Sequence, residues 1–131
     1  MKEFEPISPE IERLAKEIVD AVYKVHSQLG PGLLESAYEA CLTHELRKRG
    51  KFVETQVLLP IAYDGLNLDA GFRIDLLVGQ EIIVELKAVE KMHPLYDAQL
   101  LTYLKLSNKR LGLLVNFNVP LIKDGIRRII L

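Results

Sequence analysis

The chain has 131 residues, 49% of them hydrophobic and 27% charged, which suits one globular domain with a core of its own and calls for no second domain. Lys and Arg total 17 against 18 Asp and Glu, a net charge of −1, so the global balance carries no nucleic-acid signature and any basic surface must be local. The single cysteine, Cys41, excludes an internal disulfide, and no N-terminal apolar segment reads as a signal peptide or membrane span, so a cytoplasmic location is expected.

Met1 to Ile7 lacks periodicity and reads as a loose N-terminal arm. Ser8-Pro9-Glu10 then opens a helix with an N-cap, a proline at the first helical position and an acidic first turn. Ile11, Leu14, Ala15, Ile18, Val22 and Val25 form its apolar stripe, and Gly30-Pro31 ends it. His26 lies near the C-terminal turn, where a capping or surface role outweighs a catalytic one. A second helix is expected from Leu33 to Arg49, with Gly50 as its stop. On it Leu34, Tyr38, Cys41, Leu42 and Glu45 cluster, and Glu35 sits at the edge of that stripe. A carboxylate there is partly desolvated and needs a partner; the plainer alternative is a first-turn Glu that complements the helix dipole. Cys41 reads as a small core residue.

From Phe52 the pattern becomes strand-like. Gln56 to Tyr63, Asp64-Gly65 and Leu66 to Phe72 read as a hairpin running into the next strand, with Pro60 at an edge or bulge. A second hairpin follows: Arg73 to Val78, the loop Gly79-Gln80-Glu81, then Ile82 to Lys87. Ile74, Leu76 and Val78 share one face with Ile82, Val84 and Leu86, and Arg73, Asp75 and Leu77 share the other with Ile83, Glu85 and Lys87. Burying both apolar sets together requires an odd loop, which sets Asp75 across from Glu85 and Arg73 across from Lys87. Like charges facing each other across strands are destabilising unless a cation sits between them, and hard divalent ions choose such carboxylates. The bland alternative is a solvated sheet face. Lys87, two residues after Glu85, brings an ammonium to the same face.

After the connection Ala88 to Met92, a helix is expected from Pro94 to Ser107. Leu100, Leu101 and Leu104 face one way; Tyr96, Gln99 and Tyr103 share another face, where they can hold a water, a carboxylate or a phosphate, or be half-buried with their tips in solvent. His93 reads as a loop or capping histidine, because no second His or Cys lies at metal spacing. Leu111 to Phe117 and Ile126 to Leu131 read as strands separated by a turn at Asp124-Gly125, and Lys109-Arg110 and Arg127-Arg128 are the basic clusters open to a phosphate backbone, though such runs are commonly plain solvated faces.

An acid on one strand and Glu85-Leu86-Lys87 on the next resembles the PD-(D/E)XK nuclease superfamily, whose core motif is an acidic residue followed by (D/E)-x-K. More narrowly, Gly32-Leu33-Leu34-Glu35-Ser36-Ala37-Tyr38 looks like the signature of the GxxExxY proteins, a small family placed in that superfamily. The resemblance runs from Ile11 to Leu131. Glu-x-Lys alone is a weak motif; its order with Gly32/Glu35/Tyr38, Arg73-Ile74-Asp75 and Gln99/Tyr103 is fairly specific, and Ile74 stands where the superfamily often has Pro.

The resemblance implies one nuclease-like domain over residues 1–131, a restriction-endonuclease-like α/β sandwich with a mixed central β-sheet flanked by helices. It implies a nuclease acting on DNA or RNA with Mg²⁺ or Mn²⁺. Asp75, Glu85 and the Leu86 carbonyl would bind the metal, Glu35 would be the signature acid pointing towards it, and Lys87 would orient water or stabilise the pentacovalent state. Gln99 and Tyr103 would position water or phosphate, Tyr38 would pack under Glu35, and Gly32, Tyr96 and Arg73 would be supporting residues. A reading from another class is a catalytically silent nuclease-like fold that serves as a binding or assembly module, for example as a homodimer. Small size, the lack of a DNA-recognition domain and near-neutral charge favour it, whereas Asp75, Glu85 and Lys87 together favour the enzyme.

Overall fold

The structure, a computed structural model, describes residues 5–131. Helix α1 spans Pro9–Leu29; the Ser8 hydroxyl caps it by accepting from the Ile11 amide at 3.2 Å, and Pro9 opens it. Ala15, Ile18, Val22 and Val25 of the expected stripe are buried, with Ile11 and Leu14 packed beside them. His26 departs from its expected cap or surface place. It is buried, its Nε2 lying 2.8 Å from the Val119 carbonyl, so it ties α1 to a distant loop. The N-terminal arm is also corrected in part: Met1 to Phe4 lie outside the described residues, but Ile7 packs on the core and Arg110 donates to the Glu5 and Pro6 carbonyls.

Helix α2 spans Glu35–Lys48. Tyr38 and Leu42 are buried as expected, but Leu34 is the N-cap and 78% exposed, so the buried stripe begins at Tyr38. Glu45 on that stripe is buried with compensation: Arg49 donates to it at 2.9 Å, and Lys24 and Lys48 lie 3.3 and 3.4 Å away. The Arg49 hydrogen bond is the chief reason its carboxyl is held down to about 2.

The strands are β1 (Val53–Leu58), β2 (Ile61–Tyr63), β3 (Leu66–Leu68), β4 (Arg73–Val78), β5 (Ile82–Lys87), β6 (Leu111–Asn116) and β7 (Ile126–Ile130). Five of them form one sheet in the order β1-β4-β5-β6-β7, with only β5 and β6 parallel. A parallel neighbour needs a crossover, and helix α3 (Pro94–Ser107) supplies it. Helices α1 and α2 cover one face over Leu76, Val84, Leu86, Leu113 and Val115; α3 covers the other over Ile83 and Leu114. Every residue of β6 is therefore buried, which is why its sequence is nearly unbroken in apolar residues.

The first hairpin differs from expectation. Gln56 to Leu58 belong to β1, which begins at Val53 and pairs with β4, while β2 and β3 form a separate two-stranded ribbon around Asp64-Gly65. The β1–β4 ladder extends to the Leu59 amide donating to the Phe72 carbonyl at 3.0 Å, and Pro60 follows at the end of this edge strand, where its missing N–H faces away from β4. The arginines of the basic clusters have partners within the chain. Arg127 pairs with Asp97 at 2.7 Å while staying 57% exposed, Arg128 pairs with Glu12, and Arg110 donates to backbone carbonyls. Among the described residues no helix is long and apolar enough to cross a membrane.

Candidate functional site

The β4–β5 hairpin has the register that loop parity requires: Val78 opposite Ile82, Leu77 opposite Ile83 and Leu76 opposite Val84, around the loop Gly79 to Glu81. Gly79 turns that loop at φ 59°, a conformation that favours glycine, and a Cβ there would lie 2.8 Å from the Leu14 Cδ2, which would have to shift. The ladder ends at Leu76 and Val84. At the next pair the strands are joined by side chains: the Asp75 amide donates to Glu85 Oε2 at 2.7 Å, and the Leu86 amide donates to Asp75 Oδ2 at 2.9 Å. Each carboxylate thereby satisfies a backbone N–H that the parted strands would orphan.

Strict alternation along β4 also fails at this point. Leu76 and Val78 pack on the α1–α2 side and Leu77 on the α3 side, yet Ile74, expected with Leu76, packs with Ile83 and Leu100 on the α3 side. The neighbouring strand has a matching distortion at Gln56, whose φ is 51°. Asp64, Gln80 and Asn108 have positive φ too, but those lie in hairpin turns or at a helix C-cap; among the described residues Gln56 is the one non-glycine residue inside a strand that does. Such a conformation costs a residue with a Cβ about 1–3 kcal/mol. Its amide nitrogen donates to Asp75 Oδ1 at 3.3 Å and to Glu39 Oε1 at 2.6 Å.

Around this pair the other expected residues fall into three groups. Glu35, Tyr103 and Lys87 come close enough to share its field. Glu35 is the first residue of α2, and its carboxyl is held above the ordinary range by partial desolvation first and then by the Asp75 charge, with Lys87 opposing. Tyr103 is buried, and burial followed by the charges of Glu85 and Asp75 pushes its hydroxyl upward, so it stays protonated beside two acids. Lys87 forms no ion pair with either carboxylate; its ammonium rests over the Tyr96 ring, 4.5 Å from the centroid, a cation–π seat that fixes its position.

A second group acts through the chain. Tyr38 does not lie simply beneath Glu35. Its hydroxyl donates to the Gly30 carbonyl at 2.6 Å and accepts from the Leu33 amide at 3.1 Å, while its ring stacks on Phe117 at 4.4 Å and 4°. Tyr38 thus clamps the loop from which α2 starts, and Gly32 gives that loop its turn at φ 99°, with nothing within 4 Å of a would-be Cβ. Leu86 shows its amide engaged with Asp75, its side chain being core.

The third group is not brought in. Arg73 is exposed, pairs along the backbone with Leu58 of β1, and reaches the Phe72 carbonyl at 3.4 Å; the strands have parted before it could face Lys87. Gln99 is half-buried and lines an apolar groove of about 300 Å³ with Phe72, Leu95 and Tyr103, with no hydrogen bond to Asp75 or Glu85. His93 is the α3 N-cap, its Nδ1 accepting from the Leu95 amide at 3.0 Å.

Two further residues frame the site. Gln56 carries no sequence signal, because its role depends on a distorted strand. Asn116 has one, as the polar residue closing an apolar run: it is buried, exchanges two hydrogen bonds with the Val89 backbone and accepts from the Asn118 amide, which anchors the segment leaving Lys87.

The donor set fits a hard divalent cation. Glu85 is buried, and desolvation, then the charge of Asp75, push its carboxyl up to about 8, so a positive charge between the two acids would relieve both burial and repulsion. Among the described residues no three His, Cys, Asp or Glu side chains form a ready-made cage. Two carboxylates are enough for a cation that keeps several waters of its own.

The architecture, a mixed five-stranded sheet between helices, is restriction-endonuclease-like as expected. No curated protein and no solved structure matches the chain significantly. A family model described as the PD-(D/E)XK nuclease superfamily matches residues 12–129, a span that holds the whole site from Gly32 to Asn116. With Asp75 and Glu85-Leu86-Lys87 placed on adjacent strands where the sheet opens, the chain belongs to the PD-(D/E)XK nuclease superfamily.

Proposed function

We propose that this protein is a divalent-metal-dependent nuclease that hydrolyses phosphodiester bonds of DNA or RNA, and that it belongs to the GxxExxY group. The observation that carries the reading is the convergence of Asp75 and Glu85 at the point where β4 and β5 part, with Lys87 one side chain further along the same strand. Asp75, Glu85 and the Leu86 carbonyl would hold Mg²⁺ or Mn²⁺. Such an ion, when bound, supplies Lewis acidity towards water and the phosphate oxygens.

The chain's own residues then divide the work of adding water to phosphorus and breaking one P–O ester bond. Lys87, seated on Tyr96, presents an ammonium to the charge that develops on the phosphoryl oxygens. Tyr103 keeps its proton and can donate to phosphate or water. Glu35 faces the site from α2, held there by the Tyr38 clamp and the turn at Gly32.

The test is cleavage of a panel of single- and double-stranded DNA and RNA with Mg²⁺ or Mn²⁺ by wild type and Lys87→Ala. Cleavage should need the metal and fall by at least a hundredfold in the variant, in line with the loss of one electrostatic stabiliser. Equal cutting by both proteins overturns the role of Lys87, and no cutting at all with unaltered folding favours an assembly module.

A further inference from the structure

We propose that Gln56 is a positioning residue for Asp75, clamping one carboxylate oxygen so that the acid keeps a fixed aspect towards a bound cation; this rests on the metal reading above. The Leu86 amide holds Oδ2 of Asp75, and the Gln56 amide nitrogen holds Oδ1, so both oxygens are fixed from different strands. The orientation of the Gln56 amide is not ambiguous. Both of its partners, Asp75 Oδ1 and Glu39 Oε1, are carboxylate oxygens that only accept, so the nitrogen must face them. One NH₂ group thus bridges two acids that would repel, and links α2 to the β4 strand.

Backbone conformation is the independent observation. Gln56 adopts φ 51° within β1, a region where glycine is at ease and glutamine is not. A kink alone would be served better by glycine: β1 turns here, with Val53 packed on the α1–α2 side and Val57 on the α3 side, and glycine permits that turn freely. The side chain at this strained position is what glycine lacks, and its amide is spent on Asp75 and Glu39. Groups that orient a metal ligand from behind typically change metal affinity 10–100-fold when removed.

Gln56→Gly separates the two roles, because it keeps the kink and deletes the amide. Mn²⁺ titration calorimetry on the full chain should show affinity weakened by about 10–100-fold, while the variant melts in EDTA at or above wild type. Gln56→Asn tolerates positive φ and retains an amide one methylene too short, so it should show the same loss. If Gln56→Gly binds Mn²⁺ as tightly as wild type, the positioning role is overturned and the metal site stands. If it melts well below wild type, Gln56 is a structural residue and the proposal is likewise overturned. Wild type that takes up no Mn²⁺ overturns this inference together with the metal reading.

Discussion

Asp75 and Glu85 hold each other's strands: Glu85 accepts from the Asp75 amide at 2.7 Å, while Asp75 accepts from the amide that follows Glu85 at 2.9 Å. The hairpin therefore opens without leaving these donors unpaired, and two acids are fixed at its mouth. Burial and mutual repulsion come with that arrangement, and on the proposed metal reading they should make the site respond to both pH and cations.

Without metal, Glu85 should make the protein less stable as pH rises. Its folded carboxyl titrates at about 8 against an ordinary value of 4.5, so between those values the folded state holds a proton that the unfolded state has lost. Stability is then fully present below 4.5, declines through that window and levels off above 8, a loss on the order of a few kcal/mol. Melting temperatures in EDTA across this range should fall for wild type and stay flatter for Glu85→Gln. Mn²⁺ binding near neutrality should also expel a proton, visible as a calorimetric enthalpy that tracks the buffer's ionisation enthalpy. A flat wild-type profile would show that Glu85 is ionised and satisfied without a cation.

Asp75→Asn should separate the metal-free and metal-bound states. Above pH 8, where Glu85 is ionised, removing one of two like charges relieves about 0.2–1 kcal/mol, and replacing one acceptor oxygen by an NH₂ group costs about 1 kcal/mol, so the variant should melt near wild type in EDTA at that pH. With metal at a hundredfold excess over Kd, wild type should gain about 2.7 kcal/mol and Asp75→Asn little of it. Melting curves that move together with and without Mg²⁺ or Mn²⁺ would sink the proposed metal site.

Tyr38→Phe keeps the ring on Phe117 and deletes the hydroxyl that joins the Gly30 carbonyl to the Leu33 amide. Two hydrogen bonds at roughly 1 kcal/mol each predict a stability loss of about 1–2 kcal/mol, measured by urea denaturation. The loop before Glu35 should loosen, so cleavage should weaken as well. Unchanged stability would mean that the α1–α2 loop is held without the hydroxyl.

The sequence alone determined those features whose causes are local. Ser8 and Pro9, or His93 and Pro94, place helix starts because capping involves groups within one turn. The β4–β5 register follows from a side-chain period of two and a three-residue loop, and these alone set Asp75 level with Glu85. Lys87 followed by the same period. Tertiary structure decided what depends on distant chain: Gln56 reaches Asp75 because β1 lies beside β4, and Tyr38 finds Phe117 at the far end of β6. It also broke the alternation at Ile74 and set Arg73 apart from Lys87, because strand twist and parting arise from the whole sheet packed between helices and have no signature in residue order. The cost of that opening is met by side chains on neighbouring strands, which is why the site was legible as a motif but its supports were not.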